Sequence, residues 1–469
     1  MKIGRPFRAG TMGTLVLLSA LGATRASAQG IPRQETSFRP PSVDDPMLAP
    51  PAPAPRQIAT WDDALALIRT QSPDYIANYQ SVVRARAQKE TALAAVLPTL
   101  SGQGSYTHEI ERPLRVTLAG FAGDKVVPFA VVTPPPDAFT AGASAAWSVF
   151  NPRGLYAVGT ADKAIEVSSL SFEDRRRTIA TAVVDAMLET LVAARVAELN
   201  RTGLRAALER LALTKARLQY GQGAEVDVDR AEQDVAAARS TLISGDEALR
   251  QSREALGVAL GSPTPIAAPP DLGKQSFEAA VARTCHLNED IERRPDVAAA
   301  RERVELARRS VHDAELLFAP SVTVTSQFNY STQPVLAPSS FWSVGGVLNI
   351  PIYDGGARYG ALRDSRAALE QAEQALVASR LDAIVASAQA HRAVGVYQSS
   401  RDVAQEERDL ADRVDRRTRE GYGQGLGTSL DLVVSAQALR QADINLALLD
   451  FQVDEARANA VLINAECVY

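Results

Sequence analysis

The side chains able to do covalent or metal chemistry are few and badly placed for it. His108, His286, His312 and His391 are scattered, with no spacing at which two would share a metal. There is no G-x-S-x-G, no phosphate-binding loop and no paired-acid motif in a strand-end context. Gly221 and Gly223 make a Gly-x-Gly that follows a helical stretch instead of a strand, so it is no dinucleotide fingerprint. Cys285 and Cys467 are too few for a redox or metal motif. In an oxidising compartment they could pair, and the sequence leaves open whether they do. No catalytic residue, metal or cofactor is expected, and the chain reads as a non-enzyme.

The remaining sequence is long, exported and built for helices. It has 469 residues, 46% hydrophobic and 6% aromatic, with 50 Lys plus Arg against 55 Asp plus Glu. Residues 1–28 read as a signal peptide: Lys2, Arg5 and Arg8, then the apolar run from Leu15 to Ala23, then Ala26-Ser27-Ala28 as the cleavage site. No apolar stretch of about 18 residues is present, so no conventional spanning helix is expected. The acidic balance and the lack of a basic cluster argue against nucleic acid as a partner. Eight prolines between Gln29 and Arg56 predict a disordered or extended tether over 29–56.

The informative feature is internal repetition. Ser72-Pro73-Asp74 recurs as Arg294-Pro295-Asp296, Pro98 as Pro320, and Tyr106 as Phe328, all 222 residues on. Tyr220-Gly221-Gln222-Gly223 recurs as Tyr422-Gly423-Gln424-Gly425, 202 residues on. The first copy therefore carries about twenty extra residues, within Glu109 to Asp137. Two structural repeats follow, over 57–262 and 291–469, joined by an equatorial linker over 263–290. Each begins with an Ala-rich helix, Trp61 to Val96 and Val297 to Phe318, ended by a proline.

Period-two alternation then predicts strands at about 99–112 and 138–152, and at about 321–331 and 341–352. Val322, Val324, Phe328 and Tyr330 alternate with Thr323, Thr325, Gln327 and Asn329. Runs of about ten residues can cross a bilayer as tilted strands, and equally fit a half-buried soluble hairpin. Proline-free stretches follow, from Pro152 to Pro263 and after Pro351. Helix from Gly154 to Gln219 would be roughly 100 Å long and would need a continuous stripe of contact, with Ala180, Val183, Val184, Met187, Leu191 and Ala194 as candidates. Arg175-Arg176-Arg177 and Glu406-Glu407-Arg408-Asp409 fit solvated faces, and Asp227 fits a cap or first-turn acid. Glycines break each long helix at tips near 221–226 and 423–429, which reads as two coiled-coil hairpins.

Four segments together resemble the TolC-like outer-membrane efflux proteins, over roughly Trp61 to Val468. They are Arg294-Pro295-Asp296-Val297, the Ala319-Pro320 helix end, Asn349-Ile350-Pro351-Ile352-Tyr353-Asp354-Gly355-Gly356 with Arg358, and the tips Gly221 to Asp227-Val228 and Gly425 to Asp431-Leu432. The resemblance implies an α+β membrane protein: a homotrimer whose chains pool four strands each into a twelve-stranded transmembrane barrel, continued by a barrel of helical hairpins through the periplasm. It implies an outer-membrane location in a Gram-negative cell, contact with outer-membrane lipid, and work with a periplasmic adaptor (membrane fusion) protein and an inner-membrane transporter. Gly221, Gln222, Gly223, Gly425, Leu426 and Gly427 fall at the tip positions that meet those partners. Asp431 matches the family's entrance aspartate. Val434 stands where a second ring carboxylate is expected, and Gly427 where some members have a gate-locking Arg. Aligning on Ala436-Gln437 instead leaves no aspartate facing a pore. The implied task is a passive efflux duct. An exit duct for type I protein secretion would have the same fold, and a periplasmic coiled-coil structural or adaptor protein would share only the helices.

Overall fold

The computed structural model describes residues 43–111, 115–122, 125–132, 136–268, 281, 283, 285–287, 290–332 and 339–467. The expected signal peptide over 1–28 and residues 29–42 lie outside the described residues, as does most of the expected linker. In chain order the elements are β1 (Arg56–Gln57), α1 (Trp61–Gln71), α2 (Pro73–Ala94), β2 (Thr99–His108), β3 (Arg115–Ala122), β4 (Lys125–Val132) and β5 (Asp137–Phe150). There follow α3 (Pro152–Gln219), α4 (Glu225–Ala259), β6 (Ile266–Ala267), β7 (Cys285–Leu287) and α5 (Pro295–Glu315). The chain closes with β8 (Ser321–Ser331), β9 (Ser340–Asn349), α6 (Ala357–Gly423), α7 (Ser429–Leu462) and β10 (Ala465–Cys467).

The expected helix over Trp61 to Val96 is two helices. Thr60 opens α1 with a capping box, its hydroxyl accepting the Asp63 N–H at 3.2 Å while Asp63 accepts the Thr60 N–H at 3.1 Å. Ser72 ends α1 and caps α2 at the Tyr75 N–H, because Pro73 has no N–H to carry the ladder on and suits a first helical position. The fourth strand stops at Asn349 instead of Ile352. The twenty extra residues of the first copy contain a separate hairpin, β3 with β4, inside what reads in the sequence as a loop.

β2, β5, β8 and β9 form one antiparallel sheet in that order. Its register puts Leu100, Tyr106, Phe139, Ala143, Trp147, Val324, Phe328, Tyr330, Trp342 and Val344 on one face. Ser101, Gln103, Ser105, Thr140, Ser144, Thr323, Thr325, Gln327, Asn329 and Ser343 share the other, where Phe341 and Val347 are the large apolar exceptions. One side is thus greasy across all four strands. The opposite side is laced by hydroxyl contacts, Ser101 to Ser144 at 2.7 Å and Ser105 to Thr140 at 2.8 Å.

The helices lie in the same order as the strands. α2 leads into β2, β5 into α3, α5 into β8, and β9 into α6. Accordingly α2 and α4 pack on one side of α3, α5 and α7 on the other, and α6 packs on α5 and α7 at the far end. α3 spans 68 residues, about 100 Å. Its buried stripe runs through Ala180, Val183, Val184 and Met187, then shifts to Ala197 and Leu204; Ala194 is exposed, because the apolar face drifts around a straight helix. Arg177 also leaves the expected solvated face. It is buried, bonded to Asp174 and aimed at the Ile463 carbonyl.

An equatorial core joins the two repeats. Trp61, Ile68, Val183, Met187, Leu256, Leu260, Ile266 and Leu462 are all but sealed from solvent. Beside them β7 pairs with β10, and Cys285 is joined to Cys467. From Val43 the proline-rich segment is held, not loose. Asp45 meets Arg239 at 2.8 Å, Met47 and Leu48 pack on the α3/α4 cluster around Leu204 and Val235, and Arg253 donates to the Ala52 carbonyl.

The disulfide bridges a sequence separation of 182 residues, so chain-entropy reasoning assigns it about 5 kcal/mol. Replacing both cysteines by serine is expected to lower the unfolding midpoint of the solubilised protein by several degrees, measured against wild type without reductant.

Candidate functional site

The glycine tips are built by backbone geometry. Tyr220 caps the end of α3 and Gln424 that of α6, and the next residues, Gly221 and Gly425, have φ of 72° and 78°. Left-handed backbone of this kind favours glycine. The Gly221 and Gln222 N–H groups close on Leu218 and Arg217, both at 2.9 Å; Gly425 and Leu426 close on Tyr422 and Gly421 at 3.1 and 2.9 Å. These are matched Schellman turns, and they correct the repeat register. Gly221 corresponds to Gly425, not Gly423, which is still helical. Gly223 and Gly427 have ordinary φ, and Gly223 lies close over Leu218. At the apex Tyr220 and Leu426 are 81% and 82% exposed. Tyr220 is the tip residue that the glycine pattern passes over.

Asp227 and Asp431 occupy the same third position of their helices and do different work. Asp431 completes a capping box: Thr428 Oγ accepts the Asp431 N–H at 3.2 Å, and Asp431 Oδ2 accepts the Thr428 N–H at 3.1 Å and its hydroxyl at 2.6 Å. Those Thr428 bonds hold the exposed carboxyl below its ordinary value of 3.8. A T-x-x-D signature at Thr428 to Asp431 announces this role. The first tip has Ala224 at the cap and no side-chain capping bond. Asp227 is neither a cap nor simply solvated. It accepts the hydroxyl of Ser429, the first residue of α7, and lies 3.5 Å from Arg230.

Asp227 is one of several links between the hairpins among the described residues. Arg217 of α3 donates to the Tyr422 carbonyl at 3.0 Å and lays its guanidinium 4.1 Å from the Tyr422 ring. Deeper in, Gln437 of α7 reaches buried Asp234 of α4 at 3.1 Å, and Asp234 also holds Arg210 at 2.5 Å. In the Glu406 to Asp409 run, Arg408 crosses to Asp443 at 2.9 Å while Glu406 and Glu407 stay solvated.

At the other end lie two open edges. β2 and β9 each have one unpaired side. α6 buries only Arg358, Ala383, Ala404, Asp415 and Tyr422 among its 67 residues, and leaves Val377, Leu381, Val385, Val396, Val403, Leu410 and Val414 exposed. The opposite flank exposes Ile76, Tyr79 and Val83 of α2 and Ile243 of α4. Because β2 and β9 run in opposite directions, β9 of one copy can pair antiparallel with β2 of the next.

The sequence model for the family described as outer membrane efflux protein matches residues 64–262 and 287–462. The pyoverdine export outer membrane protein OpmQ of Pseudomonas putida is 25% identical over 341 residues, 70% of each chain. The outer membrane efflux protein BepC of Brucella suis is 26% identical over 320 residues, 62% of this chain and 63% of that one. The structure resembles the CmeC outer membrane channel of Campylobacter jejuni with a TM-score of 0.72 at 14% identity, covering 86% of this chain and 84% of that one.

Thr428→Ala removes the hydroxyl bond to Asp431 but keeps the backbone one, so only part of the lowering is expected to be lost. A carboxyl held low stabilises the tip above its unfolded pKa, and that contribution goes as pH falls through the lowered value. Protection of the 424–435 amides against hydrogen exchange, taken relative to the intrinsic rate at each pH, should therefore fall on acidification below about pH 4 in wild type, and be lower than wild type at neutral pH in the variant.

Proposed function

The chain belongs to the outer membrane efflux protein family, and on that premise we propose that three copies close into one passive duct from periplasm to cell exterior. The observation that carries this reading is the coincidence of edges: strands and helices run in one order and stop at the same two sides. A four-stranded sheet left open in lipid would strand a row of backbone donors and acceptors, each costing several kcal/mol. Head-to-tail repetition removes every edge, and three chains of four strands give a twelve-stranded wall, within the known sizes of such barrels. The face with Trp147, Phe328 and Trp342 then meets lipid, and the face with Thr325, Gln327 and Asn329 meets water. The Trp342 indole N–H donates to Ser326 at 2.7 Å, so that donor is paired within the sheet.

The same closure stands the hairpins side by side as a helical tube. Its tips present Tyr220, Gln222 and Leu426, with Gly221, Gly223, Gly425 and Gly427 allowing close backbone approach, to a periplasmic adaptor and an inner-membrane transporter that supplies the energy. Asp431, exposed at the start of α7, forms a ring of like carboxylates at the entrance and concentrates negative field there. Opening that end separates the hairpins, against the Arg217–Tyr422 and Asp227–Ser429 links. Export-linked efflux suits this reading; OpmQ and BepC are named for it.

In detergent the mature protein is expected to have the mass of three chains and to fractionate with the outer membrane; a water-soluble monomer would overturn the proposal. In planar bilayers Asp431→Ala should weaken the block of conductance by polyvalent cations, and an unchanged block removes Asp431 from the entrance. Arg217→Ala combined with Asp227→Ala should raise the open fraction of the channel several-fold.

A further inference from the structure

A hollow of about 120 Å³ lies between α3 and α7, some 27 Å above the first tip by helix rise, where the two hairpins meet. Thr202, Gly203, Arg210, Arg419, Leu439 and Arg440 line it. Two of its three guanidiniums have carboxylates of their own: Arg210 holds Asp234 at 2.5 Å, and Arg419 holds Asp415 at 2.6 Å. Arg440 has none. Among the described residues no carboxylate comes within salt-bridge distance of it, and the nearby charges are Asp234 and Arg210, one of each sign. Asp443, also on the wall, is taken by Arg408 at 2.9 Å. A second donor is idle too: Arg210 Nε is buried without a hydrogen-bond partner, although that side chain is only 11% exposed.

The pocket is built, not left over. A Cβ at position 203 would come within 2.6 Å of Arg440 Cδ, so the arginine stem lies directly over the glycine of α3 and would have to shift if a larger residue stood there. Glycine is a poor residue for a helix interior, and its presence here is matched to the arginine stem it admits. Burial pushes the Arg440 guanidinium below its usual range; the Asp234 carboxylate opposes that shift and Arg210 adds to it. A half-buried cation with no ion pair of its own, near a carboxylate already held by Arg210, is costly, and an anion supplied from outside relieves that cost.

We propose that this hollow binds a small oxyanion, carboxylate or phosphate, held between Arg440 of α7 and Arg210 of α3. Both guanidiniums offer planar donors of the kind that match such oxygens. The bound group bridges the first hairpin to the second above the Arg217–Tyr422 link, so occupancy braces the hairpins against each other. The site does not depend on the duct reading, because binding is measured on the solubilised chain whether or not it conducts.

The test is calorimetric titration of the full solubilised chain with inorganic phosphate and, separately, acetate, at constant ionic strength. Saturable binding of at least one is expected, weakened tenfold or more in Arg440→Gln and in Gly203→Ala, which keeps the charge but displaces the guanidinium. Arg413→Gln, on the solvated face of α6, should bind as wild type does. Phosphate binding identifies a free oxyanion as the ligand; acetate binding alone identifies a side-chain carboxylate from a partner or cargo. No saturable binding of either, or equal binding by Arg440→Gln and wild type, overturns the proposal.

Discussion

Backbone hydrogen bonding in lipid is the constraint from which the rest of this molecule follows. A strand edge facing hydrocarbon has nowhere to place its N–H and C=O groups, and four strands cannot curl far enough to meet. In the proposed duct the remedy comes from another copy. Because each strand runs directly into a long helix, the solution for the sheet is imposed on the helices as well. α6 follows β9 to one flank, and α2 with α4 follow β2 to the other. This explains why α6, the second-longest helix, is so poorly buried within its own chain: its stripe from Val377 to Val414 keeps heptad-like spacing with no partner in the subunit. Edge strand and edge helix are one feature seen at two heights.

At the opposite end a duplicated plan has been put to unequal use. Both tips share a left-handed glycine, a Schellman closure and an aspartate at the third helical position. One difference upstream separates them. With Thr428 before it, Asp431 folds back on its own helix end; with Ala224 before it, Asp227 has no local hydroxyl and takes Ser429 across the gap. The cap residue thus decides whether the acid serves its own helix or ties two hairpins together.

Much of this was legible in the residues, and the failures have local causes. Alternation in Val322 to Tyr330 names the strand and both its faces, since one register slip would invert them. Helix length followed from the absence of proline between Pro152 and Pro263. The break at Ser72 was missed because Ser-Pro can start a helix as readily as end one, and here it does both. Matching the YGQG letters misplaced the second turn by two residues, because α6 absorbs Gly423 and the backbone turns only where φ becomes positive, at Gly425. Arg177 read as part of a solvated run; its burial depends on Asp174 and on a carbonyl 286 positions away, which no local pattern contains. The crossing of Arg440 over Gly203 is equally non-local.

The two hairpins also differ in how far each is complete before assembly. α3 and α4 carry buried polar pairs between them: Arg201 with Asp246 at 2.5 Å, Arg210 with Asp234 at 2.5 Å, Thr190 bonded to the Ser252 carbonyl, and Asn200 to that of Thr241. Removing one partner of such a buried pair would leave a charge uncompensated and cost about 3–5 kcal/mol. The N-terminal strap adds Asp45, Met47 and Leu48 to the same groove. Between α6 and α7 the corresponding pairs, Arg401 with Asp450 and Arg408 with Asp443, are a third or so exposed and weakly held. The first hairpin therefore brings several buried polar pairs of its own, whereas in the second the Ser435 hydroxyl donating to buried Asp415 at 3.2 Å is such a link and much of the apolar stripe of α6 stays exposed within the chain.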